Sequence, residues 1–159
     1  MPYDRVERTL LMSPEVEAFL NAEVDEFELE KRARLRADLE GFVAGNVVLA
    51  SLKPLKKSRE CFIARVYPEG DGVWCIRCLA PSPGYRIFGA FAKVDVFVAL
   101  HVVPRDWLGN FLEEHGFISS WRNEVRRTVR WWVRHFHQYE KLKGAELNEF
   151  LSRCLDAAR

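Results

Sequence analysis

The run of residues 96–103, VFVALHVV, constrains the fold most, because it is apolar on both of the faces that a strand would present. Such a run suits a central strand that is covered on both sides. His101 interrupts it near its carboxyl end. The run is also far shorter than the roughly 20 residues that a membrane-spanning helix needs. We therefore expect a layered structure around a sheet and no membrane partner.

Two helical stretches precede this run. Residues 5–11 predict a short first strand, and Ser13 followed by Pro14 then starts a helix over residues 14–25. A serine side chain can cap the first turn of a helix, and proline fits there because no donor is needed. Apolar residues at helical spacing over 29–43 predict a second helix. Two such neighbouring helices form a helical hairpin.

After the hairpin, the spacing of the apolar residues changes from the helical period of about 3.6 to the strand period of about 2. The runs 61–67, 73–79 and 85–91 are rich in β-branched and aromatic residues and are separated by turn segments that contain proline and glycine. Together with residues 96–103 they predict a mainly antiparallel sheet, with one strand parallel to the first. The fold class predicted is therefore α+β, with an N-terminal strand and a helical hairpin packed on the sheet.

The remaining residues, 107–159, predict a helical extension packed on the domain formed by residues 1–106. A short last helix is expected over 144–157, after one long helix. The long helix has one apolar face, formed by Trp121, Val125, Val129, Trp132, Val133 and Phe136. Another face carries an arginine at every fourth position, namely Arg122, Arg126, Arg130 and Arg134.

Charge is distributed unevenly along a chain whose formal net charge is +1. Residues 1–50 carry a net charge of −5, residues 51–100 carry +4, and residues 101–159 carry +2. A chain divided in this way can bind an anion locally while its total charge stays near zero. The alternative is that one domain has two differently solvated surfaces.

Four cysteines without a secretion signal favour reduced thiols and a cytoplasmic protein. Cys75 and Cys78 have the CxxC spacing of redox and metal sites, but they lie in a predicted strand, where residues three apart point to opposite faces. No second CxxC or neighbouring histidine pair completes a zinc site. We therefore predict packed thiols, no metal and no cofactor. Nucleotide-binding glycine motifs and nucleophile elbows do not occur in the sequence.

Several short motifs follow one another between about residues 5 and 110. In chain order they are Ser13-Pro14-Glu15 with Phe19-Leu20, Lys53-Pro54-Leu55, Trp74 to Arg77, Tyr85-Arg86-Ile87, and Val98 to Arg105. Their order and spacing resemble the RelE/ParE-type toxin superfamily, including its phage-derived and HigB-like members. The resemblance implies a toxin of a toxin–antitoxin system. Many members cleave messenger RNA, often on the ribosome, and are held inactive by a small antitoxin, whereas others poison gyrase.

Metal-independent RNA cleavage needs a base, an acid and cations that face the phosphorane. Arginine suits the last role because its planar fork matches phosphate oxygens. By the resemblance, the family's sheet arginines correspond to Arg77, Arg86 and Arg105, and its upstream lysines, which would bind RNA, to Lys53, Lys56 and Lys57. The alternative is that a strand arginine pairs with a carboxylate from the acidic helices.

His101 is the candidate acid or base of this site, because a free imidazole titrates near neutrality. The alternative is a hydrogen-bonded core histidine. Several RNA-cleaving members have a tyrosine about six residues after the basic turn. Phe111 stands at that position here and has no hydroxyl, although His115 lies nearby in the sequence.

The segment 119–143 carries 7 lysines and arginines against 2 acidic residues, with aromatic residues between them. Basic side chains beside aromatic rings are typical of surfaces that bind single-stranded nucleic acid. The alternative is a solvated arginine face whose aromatic residues pack on the sheet. The extension could also cover the sheet face where the family binds RNA, which would make the protein a non-catalytic module for binding nucleic acid or protein. A gyrase-directed toxin is a third hypothesis.

Overall fold

The computed structural model describes residues 7–54, 57–109 and 119–157, which form seven strands, three α-helices and three short 3-10 turns. The strands are β1 Thr9–Met12, β2 Val48–Ser51, β3 Ile63–Arg65, β4 Trp74–Cys78, β5 Tyr85–Lys93, β6 Val96–Pro104 and β7 Cys154–Asp156. The helices are α1 Pro14–Asn21, α2 Glu26–Val43 and α3 Ser119–His135. The 3-10 turns are Glu69–Asp71, Arg105–Trp107 and Leu147–Glu149.

All of the described strands join one sheet in the order β1-β6-β5-β4-β3-β2-β7. The pairs β1/β6, β2/β3 and β2/β7 are parallel, and the three pairs that connect β3 to β6 are antiparallel. The α+β class is confirmed, and the sheet is mixed, with three parallel pairs where the sequence predicted one. Parallel pairs extend its antiparallel centre at both sides, and two of them, β1/β6 and β2/β7, join strands that are distant in sequence.

The hairpin is present with different boundaries. α1 ends at Asn21 rather than at residue 25, because Asp25 caps the next helix by accepting a hydrogen bond from the Glu28 amide at 2.8 Å. α2 therefore begins at Glu26, three residues earlier than predicted. The Ser13 cap is confirmed by its side chain, which accepts a hydrogen bond from the Val16 amide.

The end of the chain differs most from the prediction. The expected helix over residues 144–157 is wrong, because one 3-10 turn leads into β7, which pairs in parallel with β2. Of the apolar residues that suggested a helix, Leu147 begins the 3-10 turn and Leu155 lies in β7. Phe150 and Leu151, between them, are buried in the main core. The segment 107–159 is thus not a purely helical extension, since it returns to the sheet. β2 itself, only four residues long, was not predicted.

The sheet is covered on both faces, as the apolar run at 96–103 predicted. Phe97 and Ala99 belong to the core cluster beneath α1 and α2, whereas Val98 and Leu100 pack against Trp132 of α3. Side chains that alternate along β6 therefore fill two separate cores.

An irregularity in the pairing of β5 with β6 brings the side chains of Leu100 and His101, which are adjacent in sequence, under α3. Phe88 pairs with His101 and Gly89 pairs with Ala99, so Leu100 is an extra residue on β6. Such a bulge re-aims the side chains that follow it. A Cβ atom at Gly89 would lie 2.0 Å from the Val98 carbonyl oxygen, so this close approach of the two strands requires glycine.

α3 packs on the sheet through Trp121, Val125 and Trp132, which are buried as predicted. Val133 was placed on the same face and is instead 59% exposed, because it follows Trp132 by one residue and is turned about 100° around the helix. The predicted arginine row is confirmed as an exposed face of the helix, consisting of Arg122, Arg126, Arg130 and Arg134. Among the described residues, no helix combines the length and the apolar character needed to cross a membrane.

Candidate phosphate-binding site

A cavity of about 130 Å³ opens on the α3 face of the sheet, where β4 ends and β5 begins. Since each water takes up about 30 Å³ in the liquid, the cavity has room for several waters. Several elements contribute to its wall. The cationic and aromatic lining residues are Lys57, Arg65, Arg77, Arg86, Arg105 and Trp121.

Sheet register brings the three predicted arginines into this one cavity. Arg77 of β4 and Arg86 of β5 are direct cross-strand partners, and such partners have Cβ atoms roughly 5 Å apart on one face. Arg105 follows β6, and its amide donates to the Gly84 carbonyl oxygen at 3.0 Å, immediately before β5. Two neighbouring strands and the turn after β6 therefore supply one arginine each.

Arg86 is the most buried of these cations, with 6% of its surface exposed. Its Nη1 donates to the Tyr85 carbonyl oxygen at 3.1 Å. Burial, together with the nearby charges of Arg77 and Arg105, lowers the pKa of Arg86 to about 10. The side chain is therefore still charged at neutral pH, in surroundings that disfavour its charge.

Arg77 and Arg105 are held by neutral carbonyl groups. Arg77 Nη1 donates to the carbonyl oxygens of Cys61 at 2.8 Å and Ser58 at 3.3 Å. Arg105 Nη1 donates to the Leu108 carbonyl oxygen, and its guanidinium carbon lies 5.7 Å from the centre of the Trp121 ring. These contacts orient the two guanidinium groups and leave their charges uncompensated.

Lys57 adds a fourth cation. It is half-buried, lines the cavity and donates through Nζ to the Pro54 carbonyl oxygen. Burial and the charge of Arg77 lower the pKa of its amine. In the described part of the chain, no carboxylate forms an ion pair with Lys57, Arg77, Arg86 or Arg105. Within the described residues, these arginines therefore do not pair with carboxylates of the acidic helices, which was the alternative to phosphate binding.

The other two lysines predicted to bind RNA are not part of this cluster. Lys53 is exposed and does not line the cavity. Lys56 lies outside the described residues, as do Phe111 and His115.

His101 is placed away from the arginines. Its side chain is 1% exposed, its Nε2 lies 2.7 Å from Glu124 Oε2 of α3, and its ring stacks on Phe88 at 5.3 Å. Thr128 Oγ1 lies 3.5 Å from the same nitrogen. The alternative of a hydrogen-bonded core histidine fits this placement, and His101 is not among the residues that line the arginine cavity. His101 instead fastens α3 to the sheet.

Changing Glu124 to glutamine is expected to destabilise the protein by about 1–3 kcal/mol at pH 7, because a buried histidine nitrogen loses its charged partner. Burial raises the pKa of Glu124, but the hydrogen bond and charge of His101 and the charge of Arg127 outweigh it, so the pKa is lowered. This contribution is complete above the ordinary carboxyl pKa and is lost as the pH falls through the lowered value.

Urea unfolding at pH 7 and at pH 3 measures the effect of E124Q. The difference between wild type and variant should shrink at the lower pH. The exposed Glu17→Gln is the matched control, for which little change is expected at either pH. An equal, small effect of both variants at pH 7 would contradict the role of the His101–Glu124 contact.

The CxxC pair consists of packed thiols on opposite sides of the sheet, as predicted. Cys75 belongs to the core cluster beneath α3, and Cys78 belongs to the cluster beneath the hairpin. Burial raises the pKa of both, that of Cys75 to about 11, so neither is a thiolate at neutral pH. No group of three His, Cys, Asp or Glu side chains is arranged to hold a metal ion in the ranges that the structure describes.

Sequence reasoning missed Arg65, which ends β3 and also lines the cavity. Its Nη2 lies 3.4 Å from Glu69 Oε2, and its Nε donates to the Leu52 carbonyl oxygen at 3.2 Å. Its position at the end of an apolar strand was the available signal. Because Glu69 compensates it, Arg65 adds less to the field of the cavity than the other cations do.

The α3 arginines lie outside the cavity. Arg127 pairs with Glu15 of α1 at 2.6 Å, so one arginine of the helix is used to join two elements. Arg126, Arg130 and Arg134 are exposed and form no ion pair with any carboxylate in residues 7–54, 57–109 or 119–157. They form a separate basic surface.

Comparison with known proteins gives no match for this chain among protein-family models, curated proteins or solved structures.

Proposed function

We propose that the protein is a RelE/ParE-like toxin that cleaves messenger RNA without a metal ion and binds the scissile phosphate in the arginine cavity. The observation that carries this proposal is the convergence of Arg77, Arg86, Arg105 and Lys57 without a carboxylate partner in the described part of the chain. Burying like charges together disfavours the folded state. An anion that occupies the cavity removes this penalty, and a backbone phosphate offers oxygens to several guanidinium forks at once.

The same side chains suit the chemistry of RNA cleavage. Lys57 lines the cavity and is the candidate base for the proton of a ribose 2′-hydroxyl, since burial and the charge of Arg77 lower the pKa of its amine. The 2′-oxygen bonds to phosphorus, and the arginines stabilise the charge that develops on the phosphorane. The bond from phosphorus to the 5′-oxygen then breaks, and that oxygen takes a proton from water. The products are a 2′,3′-cyclic phosphate and a 5′-hydroxyl end.

Incubating purified protein with messenger RNA in EDTA, with and without ribosomes, tests this function. We expect cleavage under at least one of the two conditions, with cyclic phosphate and 5′-hydroxyl ends. Intact RNA under both conditions would contradict it. Loss of gyrase supercoiling activity while RNA stays intact would instead identify a gyrase-directed toxin. Within the proposal, a small antitoxin is the partner that holds the protein inactive.

The arginine row of α3 favours a second candidate function, the non-catalytic binding of single-stranded nucleic acid. Arg126, Arg130 and Arg134 are exposed and uncompensated within the described residues, and Trp131 and His135 lie beside them with ring centres 4.3 Å apart. Cations that follow a phosphate backbone, with aromatic rings between them, suit this task.

Changing both Arg126 and Arg130 to glutamine tests the α3 surface. If each contacts one phosphate, the slope of log affinity against log salt for single-stranded RNA should become shallower by roughly 1.4. Fluorescence anisotropy at several salt concentrations measures this slope. Arg34→Gln on α2, where Arg34 pairs with Asp38, is the control. An unchanged slope in the double variant would exclude this surface as an RNA contact.

A further inference from the structure

A second cavity, of about 420 Å³, lies on the hairpin side of the sheet, beyond the turn that carries Arg105. Trp107, Asp106, Lys31 and Tyr85 are among its lining residues. Nothing in the proposed cleavage chemistry uses this cavity. It lies beside the arginine cavity, on the other side of the turn Arg105–Trp107.

A single 3-10 turn separates the two cavities. Arg105, the first residue of this turn, lines the arginine cavity, and Trp107, the last, lines the second cavity. Cα atoms two residues apart lie at most about 7 Å from each other. A phosphate beside Arg105 and a base of the same or the next nucleotide beside Trp107 are therefore within reach of one RNA strand.

The turn is held firmly against the start of β5. The Arg105 amide donates to the Gly84 carbonyl oxygen at 3.0 Å. Gly84 has a φ of +71°, and a Cβ atom there would lie 2.0 Å from the Cys78 carbonyl oxygen, so the backbone passes here with no room for a side chain. The spacing between the two cavities is thus fixed by the backbone.

Trp107 is 74% exposed, although tryptophan is usually a well-buried residue. In the described part of the chain it has no aromatic partner and its indole nitrogen has no hydrogen bond. An exposed indole that lines a cavity next to a phosphate site is a platform on which a nucleobase stacks.

The polar groups of the cavity distinguish between bases. The Glu28 carboxylate is already engaged, since it accepts a hydrogen bond from the Tyr85 hydroxyl at 2.6 Å and lies 3.6 Å from Lys31 Nζ. The Asp106 carboxylate has no partner in the described ranges. A carboxylate can accept two hydrogen bonds side by side. Guanine is the base whose Watson–Crick edge offers two adjacent donors, N1–H and the N2 amino group.

We infer that the second cavity is a base subsite, in which a guanine of the bound RNA stacks on Trp107 and donates to Asp106 while an adjoining phosphate occupies the arginine cavity. This inference rests on the proposed RNA-directed function and adds a specificity to it.

Fluorescence anisotropy with labelled, 2′-O-methyl RNA hexamers tests the subsite without cleavage. The hexamers carry guanine, adenine or an abasic sugar at one position. Trp107→Ala should weaken binding of the guanine hexamer by roughly 5- to 150-fold, as expected for the loss of one stacked base. It should leave the abasic hexamer unaffected, and Trp107→Phe should restore most of the affinity. Asp106→Asn should abolish the preference for guanine over adenine.

The outcomes separate this inference from the function on which it rests. If Arg86→Met weakens binding of all hexamers whereas Trp107→Ala changes nothing, the subsite is overturned and phosphate binding stands. If Trp107→Ala weakens the guanine and abasic hexamers equally, the tryptophan is structural and the subsite is also overturned. If the wild-type protein binds no hexamer, the subsite is overturned, whereas the cleavage assay with and without ribosomes decides the RNA-directed function separately.

Discussion

Replacing Arg86 with methionine is expected to lower the rate of RNA cleavage by about 100-fold or more without lowering stability. Removing one preorganised donor from a site that stabilises developing charge typically costs about 10²–10³ in rate. Arg86 is buried beside Arg77 and Arg105, and burial together with their charges lowers its pKa. Methionine keeps an unbranched apolar stem in the same space and removes the repelled charge, so we expect the folded protein to be at least as stable as wild type.

Single-turnover cleavage and thermal unfolding measure the two effects on the same preparations. Arg34→Met, at an exposed position of α2, is the matched control and should change neither. Inorganic phosphate should raise the unfolding temperature of the wild type, because a ligand that binds the folded state stabilises it. It should raise that of R86M less. Full activity of R86M would contradict the account, as would a loss of activity that merely follows a loss of stability.

Replacing Arg8 with methionine is expected to destabilise the protein by about 3–5 kcal/mol, the usual range when one partner of a buried charge pair is removed. Arg8 is nearly fully buried, and its Nε lies 3.6 Å from Oδ1 of Asp95. Burial lowers the pKa of Arg8, against the opposing effect of Asp95. Without the guanidinium group, Asp95 keeps its contacts with Ser152 but loses its cation.

The same guanidinium group joins three parts of the chain. Nη1 donates at 2.9 Å to the carbonyl oxygens of Phe42 and Asn46, which lie at and after the end of α2. Nη2 donates to those of Ser152 at 2.8 Å and Arg153 at 3.2 Å, just before β7. Methionine can donate to none of these four acceptors. We therefore expect β7 to detach first in the variant.

Urea unfolding gives the stability of R8M, and hydrogen exchange of the β7 amides reports local detachment. Arg34→Met again serves as the control, with an expected change within about 0.5 kcal/mol, as is usual for surface substitutions. A loss for R8M no larger than that of the control would contradict the structural role of Arg8. So would β7 amides that exchange no faster than in the wild type.

The centre of the sheet could be predicted because it depends on local patterns. Residues 96–103 are apolar on both faces, which requires two covering layers, and β6 has them. Arg77 and Arg86 were identified through the resemblance, and their meeting on one face depends on the register of β4 against β5, which the structure supplies. The capping serine of α1 was likewise visible in the sequence.

Pairing between residues that are distant in sequence accounts for most of the differences between the predicted and the observed structure. β7 has three residues and its partner β2 has four, and about 100 residues separate them, so no local pattern indicated their parallel pairing. Arg8 was not singled out, since four of its acceptors are backbone carbonyls that carry no sequence signal. His101 was visible as an interruption, but its partner Glu124 lies on α3, and only the packing of that helix decides between a core histidine and a site residue.

Nuclear magnetic resonance of the arginine side chains tests the central claim most directly. The protein is labelled with [15N]arginine, its Nε–H signals are assigned with single variants, and a 2′-O-methyl RNA hexamer is added. The account predicts that the signals of Arg77, Arg86 and Arg105 shift together, with one dissociation constant that weakens as salt rises. Saturating RNA that leaves those three signals in place, and moves only those of Arg126, Arg130 and Arg134, would contradict it.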